Sequence, residues 1–159
     1  MTDNCFSIGR VYNAEGERLA YELECIEKAC FSSPWSLDSI KKSLCNTNTD
    51  FIIARQNQCG KIIGFCAFSF VIDECEILNI AVYPEHRKKG IAHSLLESAI
   101  DNAIKKGVRR FFLEVRESNF AAISLYKSFG FICIGNRKNY YSSPKENAIL
   151  MSLKLDSLT

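Results

Sequence analysis

The stretch from Asn79 to Gly107 constrains the fold most. Asn79-Ile80-Ala81-Val82 continues a β-rich run that begins at Cys75, and Pro84 stops it. Glu85 to Lys89 is charged. From Gly90 onward Ile91, Leu95, Leu96, Ala99, Ile100, Ala103 and Ile104 form an apolar stripe, and Gly107 follows the end of the pattern. A second strand is predicted over Phe111–Arg116. The segment is therefore a strand, a basic loop, an amphipathic helix and a strand, which is a β-α-β unit. Strict alternation within Cys75–Tyr83 sends Ile77, Asn79 and Ala81 to one side and Leu78, Ile80 and Val82 to the other.

The rest of the chain supplies partners for that unit. Phe6, Ile8 and Arg10 to Tyr12 suit a short first strand. Glu15–Phe31 is helical in character, with Leu19, Leu23, Ile26 and Cys30 at spacings of three and four. Pro34 bars its continuation, and Ser36 caps a second helix through Leu44. Phe51–Arg55 and Lys61–Ile72 read as strands joined by a turn at Asn57-Gln58-Cys59-Gly60. Asn119–Phe129 is a short helix closed by Gly130. Phe131–Ile134 and Ala148–Leu155 are closing strands. Early hairpins followed by β-α-β predict a mixed α/β sheet covered by helices.

Composition narrows the function. The chain has 159 residues, 47% of them hydrophobic and 24% charged, with no repeat or low-complexity tract, so residues 1–159 are expected to form one globular domain. Twenty basic against 18 acidic side chains leave a net charge of +2, too little to suggest a nucleic-acid partner by electrostatics. Ile62–Ile72, the longest apolar stretch, is too short to cross a bilayer, so no membrane partner is expected. The eight cysteines show no metal or redox spacing, and neither histidine, His86 or His93, sits beside a cysteine pair. No metal is expected. Free thiols in a chain whose first residues lack an export pattern point to reducing cytoplasm. Most of the thiols, Cys66 and Cys133 among them, read as small buried hydrophobes.

Two segments carry chemistry. In the first, Arg87, Lys88 and Lys89 precede the N-terminus of the Gly90 helix. The N–H groups there lack internal partners and the helix dipole is positive, so the loop suits an anion such as a pyrophosphate. Gly90 has no Cβ to keep a phosphate off the backbone. In the second, alternation puts Phe111, Leu113 and Val115 on one face of a strand and Glu114 and Arg116 on the other. Asn119 opens the next helix and Tyr126 lies two turns along it. A carboxylate, an amide and a phenol thus converge near one strand end. Glu114 also suits a plain surface pair with Arg116, Asn119 a helix cap, and Tyr126 a half-buried helix tyrosine.

Together these segments resemble the acetyl-CoA site of the GNAT acyltransferase superfamily. Arg87-Lys88-Lys89-Gly90-Ile91-Ala92 is similar to that family's Gln/Arg-x-x-Gly-x-Gly/Ala signature, with Ala92 where many members carry a second glycine. Pro34-Trp35-Ser36, Asn79-Ile80-Ala81-Val82, Leu113-Glu114-Val115-Arg116, Ser118-Asn119, Leu125-Tyr126, Gly130-Phe131 and Arg137-Lys138-Asn139-Tyr140-Tyr141 resemble more narrowly the branch that acetylates the N-terminal alanine of a ribosomal protein. The resemblance implies a mostly antiparallel central sheet flanked by helices on both faces. It implies acetyl-CoA as cosubstrate, held by the main chain of Ile80, Ala81 and Val82, by Arg87, Lys88, Lys89, Gly90, Ile91, Ala92 and His93 at the pyrophosphate, and by Asn119 at the pantetheine arm. Glu114 is then the general base, Tyr126 the general acid, and Trp35, Tyr140 and Tyr141 line a peptide groove rather than the core. The implied partner is a protein N-terminus, with room for a transient partner protein. The acceptor stays open at this point: a small amine such as a polyamine or amino sugar, or a lysine side chain, needs the same fold. A non-catalytic CoA-binding module is a third alternative, and the presence of both Glu114 and Tyr126 counts against it.

Overall fold

The computed structural model describes residues 5–11 and 16–155. Tyr12 and Glu15, placed by their sequence in the first strand and first helix, lie outside them. Seven strands form one sheet: β1 (Phe6–Arg10), β2 (Thr49–Gln56), β3 (Ile62–Val71), β4 (Glu74–Val82), β5 (Arg110–Arg116), β6 (Ile132–Ser142) and β7 (Lys145–Lys154), in the order β1-β2-β3-β4-β5-β7-β6. Every neighbouring pair is antiparallel except β4 and β5, which the helix α3 (Ile91–Lys105) joins as parallel strands. The expected mixed, mostly antiparallel sheet is therefore present.

Helices cover both faces. α3 and α4 (Phe120–Ser128) seal one face with Leu95, Leu96, Ala99, Ala103 and Tyr126 against Ile52, Cys66, Phe68, Phe111, Leu113 and Val115. α1 (Gly16–Cys30) and α2 (Leu37–Cys45) cover the other with Leu19, Leu23, Ile26 and Ile40 against Phe51, Ile53, Phe65, Ala67 and Ala81. Ser36 caps α2 as its sequence suggests, its side-chain oxygen accepting from Ser39 N–H at 3.2 Å. α1 and α2 reach only as far as β4. β5, β7 and β6 are left uncovered on that face.

Three expectations need correction. The two closing strands are much longer than their apolar centres, because β6 and β7 pair on as a ribbon to Ser142 and Lys145. β6 is an outer strand of the sheet, so Cys133 is exposed between Ile132 and Ile134 rather than buried. Cys5, Cys25, Cys45 and Cys59 are exposed as well, and of the eight thiols Cys66 and Cys75 alone are fully buried. Finally, the alternation in β4 breaks. Ala67 pairs with Asn79 but Phe68 pairs with Ile77, so Leu78 is an extra residue, a β-bulge. Ile77 thus packs toward α3 with Ile80 and Val82, while Leu78 and Ala81 pack toward α1.

The bulge sits where the sheet opens. β4 and β5 pair from Glu74↔Arg110 to Ile77↔Leu113 and no further. Beyond that, β4 stays with β3 as far as Gly64↔Val82, and β5 stays with β7 as far as Arg116↔Ala148. The two halves of the sheet splay apart past Ile77. Gly64 permits the close approach on the β3 side: a Cβ there would meet Ala81 O at 2.8 Å.

Candidate active site

The splay exposes one edge of β4. Tyr83 N–H donates to Ile63 O at 3.0 Å, and antiparallel alternation then turns Ala81 and Asn79 toward β3. The N–H and C=O groups of Ile80 and Val82 point the other way, into the gap. So of the three expected main-chain positions, Ile80 and Val82 face the opening and Ala81 holds β3. Val82 O already accepts from Arg87 Nε at 3.1 Å and from Cys30 Sγ at 3.3 Å.

The basic loop leads directly from this edge. A 3-10 turn, Pro84–His86, carries the chain to Arg87. Lys88 (φ +59°) and Gly90 (φ +78°) both take the left-handed conformation, a backbone shape that gathers N–H groups into an anion-binding concavity. Gly90 is the N-cap of α3 and provides no side chain to its first turn, which holds no acidic residue. The N–H groups of Ile91, Ala92 and His93 therefore have no capping side chain. A Cβ on Gly90 would meet nothing within 4 Å, so open space lies over this concavity. The exposed His93 ring packs on Phe129 at 4.6 Å, which ties the start of α3 to the end of α4. These features fit a diphosphate.

Glu114 and Tyr126 lie on opposite faces of the sheet. Glu114 lies on the uncovered face of β5, half-buried, and Arg137 Nη1 pairs with it at 3.1 Å. The Tyr140 hydroxyl hydrogen-bonds to Glu114, which is the first cause of that phenol's raised pKa. The alternative Glu114–Arg116 pair does not form. Arg116 instead bonds Glu146 at 3.2 Å, lies over the Tyr141 ring at 4.1 Å, and donates to Ser143 O and Pro144 O. Tyr126 lies under the sheet, 5% exposed, with its ring 5.8 Å from Phe131. Burial pushes its hydroxyl well above the usual phenol range, and the Cys66 thiol and Tyr141 phenol add to the shift. Cys66, which acts on Tyr126, is the β3 partner of Ile80. Asn119 caps α4, accepting from Ala122 N–H at 3.2 Å through Oδ1. Its amide NH₂ is not used in that bond.

The face above Glu114 that the helices leave uncovered runs between two segments. One wall is the α1–α2 loop with Trp35, and the other is the β6–β7 ribbon with Tyr140 and Tyr141, whose rings meet edge-on at 5.1 Å. Ser32 Oγ donates to Ser143 O at 2.9 Å and links the walls. Tyr140 is exposed and Tyr141 half-buried, whereas Trp35, also half-buried, packs against the core beneath α1 and α2. On the floor, Glu76 of β4 is pushed up by burial first and then by the Glu114 charge, with Arg137 opposing.

Sequence reasoning missed Glu27. It is on α1 and wholly buried, the one such charged side chain among the described residues. Its Oε2 accepts Trp35 N–H at 2.9 Å, and its Oε1 accepts from the Asn79 amide. Burial pushes the carboxyl up to about 7, with both hydrogen bonds opposing. The available signal was an acid lying between Leu23, Ile26 and Cys30 on the apolar stripe.

Comparison with known proteins agrees with this architecture. Residues 20–131 match the Acetyltransferase (GNAT) family model. The [ribosomal protein bS18]-alanine N-acetyltransferase of Escherichia coli K12 is 39% identical over 132 residues, which cover 82% of this chain and 87% of that protein. The crystal structure of the ribosomal-protein-S18-alanine N-acetyltransferase from Escherichia coli superposes with a TM-score of 0.85 at 33% identity, covering 97% of this chain and 96% of that one. A chain of the NatC complex bound to Gag peptide and CoA gives 0.83 at 25% identity, with 95% and 99% covered. No helix among the described residues is long and apolar enough to cross a membrane. A sheet split beside a glycine-opened helix, matched in sequence across most of its length, places the chain in the GNAT family of acetyl-CoA-dependent acetyltransferases.

Proposed function

We propose that this chain acetylates the N-terminal α-amine of a protein, an alanine-starting ribosomal protein, working in the cytoplasm as one domain over residues 1–159. The observation that carries the reading is Glu114, half-buried beside the split between β4 and β5 with Arg137 and the Tyr140 hydroxyl on its carboxylate, and the open face above it serves as the peptide groove. Acetyl-CoA supplies an acetyl group activated as a thioester. Ile80 and Val82 offer it main-chain partners, with Ala81 fixing that edge to β3. Arg87, Lys88, Lys89 and the N–H groups from Gly90 to His93 hold the pyrophosphate, and Asn119 the pantetheine arm.

The protein groups then have defined tasks. A terminal amine has a pKa of about 7.7–8.0, against about 10.4 for lysine, so it needs less help to lose its proton near neutrality. Glu114 takes that proton, and Arg137 and Tyr140 fix the carboxylate's direction. A main-chain N–H of the β4 edge faces the acetyl oxygen as negative charge grows there. Tyr126, kept neutral by burial, retains a proton to give to the departing thiolate. Trp35, Tyr140 and Tyr141 hold the peptide. Polyamine acceptors are disfavoured, because Glu76 and Glu114 share the floor with Arg137 and Arg116.

The test mixes the purified chain with acetyl-CoA and an alanine-starting ribosomal peptide, and records the peptide's intact mass. One added acetyl group, absent when the α-amine is blocked, is the expected result. No addition, with acetyl-CoA binding shown in the same sample, overturns the acceptor assignment. It then points to a small amine or to a missing partner protein.

A further inference from the structure

We propose that Glu27 is a positioning residue that locks the acceptor loop to the donor strand. Its two oxygens are divided between the walls of the site. Oε2 holds the main chain at Trp35, on the loop that walls the groove, and Oε1 holds Asn79, the residue after the Leu78 bulge and next to Ile80. One turn further along α1, Cys30 Sγ donates to Val82 O at 3.3 Å. The same helix side thus touches β4 on both flanks of Ile80. The bulge turns Asn79 toward α1 at the level where β4 leaves β5, so the carboxylate braces the strand where pairing with β5 stops.

Stability alone does not call for an acid here. The surrounding core is apolar, and a leucine facing a leucine would fill such a place without burying a charge. Replacing buried ionic groups by packed apolar ones is commonly neutral or stabilising. A carboxylate does what an apolar pair cannot: it fixes a main-chain N–H on a loop and an amide on a strand to one rigid plane. Among the described residues no cation pairs with it. Hydrogen-bond geometry is therefore what holds it. The donor and acceptor sites would keep their relative placement through Glu27 while substrates come and go.

The inference rests on the acetyl-transfer reading for its kinetic arm, and Trp35 gives an arm that does not. Trp35 is the chain's one tryptophan, so its emission reports the loop with no substrate present. The full-length chain is prepared with Glu27→Leu and Glu27→Gln. Leucine removes both acceptors. Glutamine accepts from Trp35 N–H and donates to Asn79 Oδ1 once that amide turns over, so it rebuilds the bridge without charge. In Glu27→Leu the Trp35 emission shifts, and KM for the alanine-starting peptide rises at least tenfold. The acetyl-CoA Kd from calorimetry stays within threefold, because the pyrophosphate loop has its own anchors. In Glu27→Gln both emission and peptide KM return to within threefold of the parent.

A purely structural carboxylate gives a different pattern: a lower Tm with parental KM and emission in Glu27→Leu, which overturns the proposal. A glutamine variant as defective as the leucine one also overturns it. Should Glu27→Leu not fold, Asn79→Ala cuts the β4 end of the bridge, and a parental peptide KM there overturns the proposal. Should the parent acetylate no peptide, the function reading fails by itself. The Trp35 emission, shifted by leucine and recovered by glutamine or unmoved by either, still decides for or against the bridge.

Discussion

Glu114 and Glu27 lie on the same side of the sheet, in very different surroundings. Glu114 is half-buried beside Arg137 and Tyr140, whereas Glu27 is sealed among Leu23, Ile26 and the bulged strand. Glu114→Gln keeps the shape of the floor and removes the base. Turnover should fall about a hundredfold or more, with the acetyl-CoA Kd within threefold, measured by peptide mass and calorimetry. Parental turnover at pH 7 would take Glu114 out of the base role. Glu27 makes a prediction about stability. Its pKa rises from 4.5 in the unfolded chain to about 7 in the folded one, so between those values the folded state holds more proton. Stability attributable to Glu27 therefore falls as pH rises from 4.5 to about 7, and is level above. The groups facing it are Cys30 on its own helix and, through Cys30, Arg87 beyond β4. Urea titrations of the parent and Glu27→Gln should diverge across that window in favour of glutamine, by about 3 kcal/mol. A constant difference from pH 4.5 to 8 would contradict the shift.

Elements carry the site through two glycines and one bulge. Gly90 stands at φ +78°, where a β-branched residue is strained, and its Cβ direction is open space above the anion concavity. Gly90→Val should weaken acetyl-CoA binding tenfold or more in calorimetry while leaving peptide-wall contacts alone. Unchanged affinity would move the pyrophosphate elsewhere. Gly64 is the opposite case, with ordinary φ but no room. A methyl group there would press on the Ala81 carbonyl and push out the end of β4, at a cost of about 2 kcal/mol and roughly 4–8 °C in Tm by calorimetric scan. Much of this level was legible in the sequence. The α3 stripe, Ser36 and Asn119 as caps, and the faces of Leu113 and Glu114 follow from local periodicity, which local physics sets. The Leu78 bulge does not, because it comes from pairing with β3, and Cys75–Tyr83 alternates well enough to conceal it. The β6–β7 ribbon was equally hidden. Arg137 to Ser142 lies on an outer strand with Tyr141 alone half-buried, so no alternating buried face marks it as β. Arg137, which meets Glu114 only through that ribbon, was hidden with it.

At the scale of the whole molecule, the two layers of helices divide the cysteines by what covers them. Cys66 and Cys75 lie under α3, and burial pushes Cys75 up to about 12 and Cys66 higher. The thiolate is the reactive form, so both should resist alkylation until the sheet opens. Cys5, Cys25, Cys45, Cys59 and Cys133 are exposed, two of them on the outer sides of α1 and α2, and should be labelled in the native protein. Cys30 falls between these groups. It is half-buried at the β4 edge, its thiol bonded to Val82 O and pushed up chiefly by burial. Native iodoacetamide labelling read by intact mass should therefore add five groups quickly, a sixth slowly, and the last two only in denaturant. The slow step connects packing to function. If acetyl-CoA seats against Ile80 and Val82, it braces the strand edge that Cys30 touches, so saturating acetyl-CoA should slow the sixth addition several-fold and leave the first five unchanged. A sixth addition indifferent to acetyl-CoA would mean that the cosubstrate lies away from the split between β4 and β5, and the assignment of that edge would fail with it.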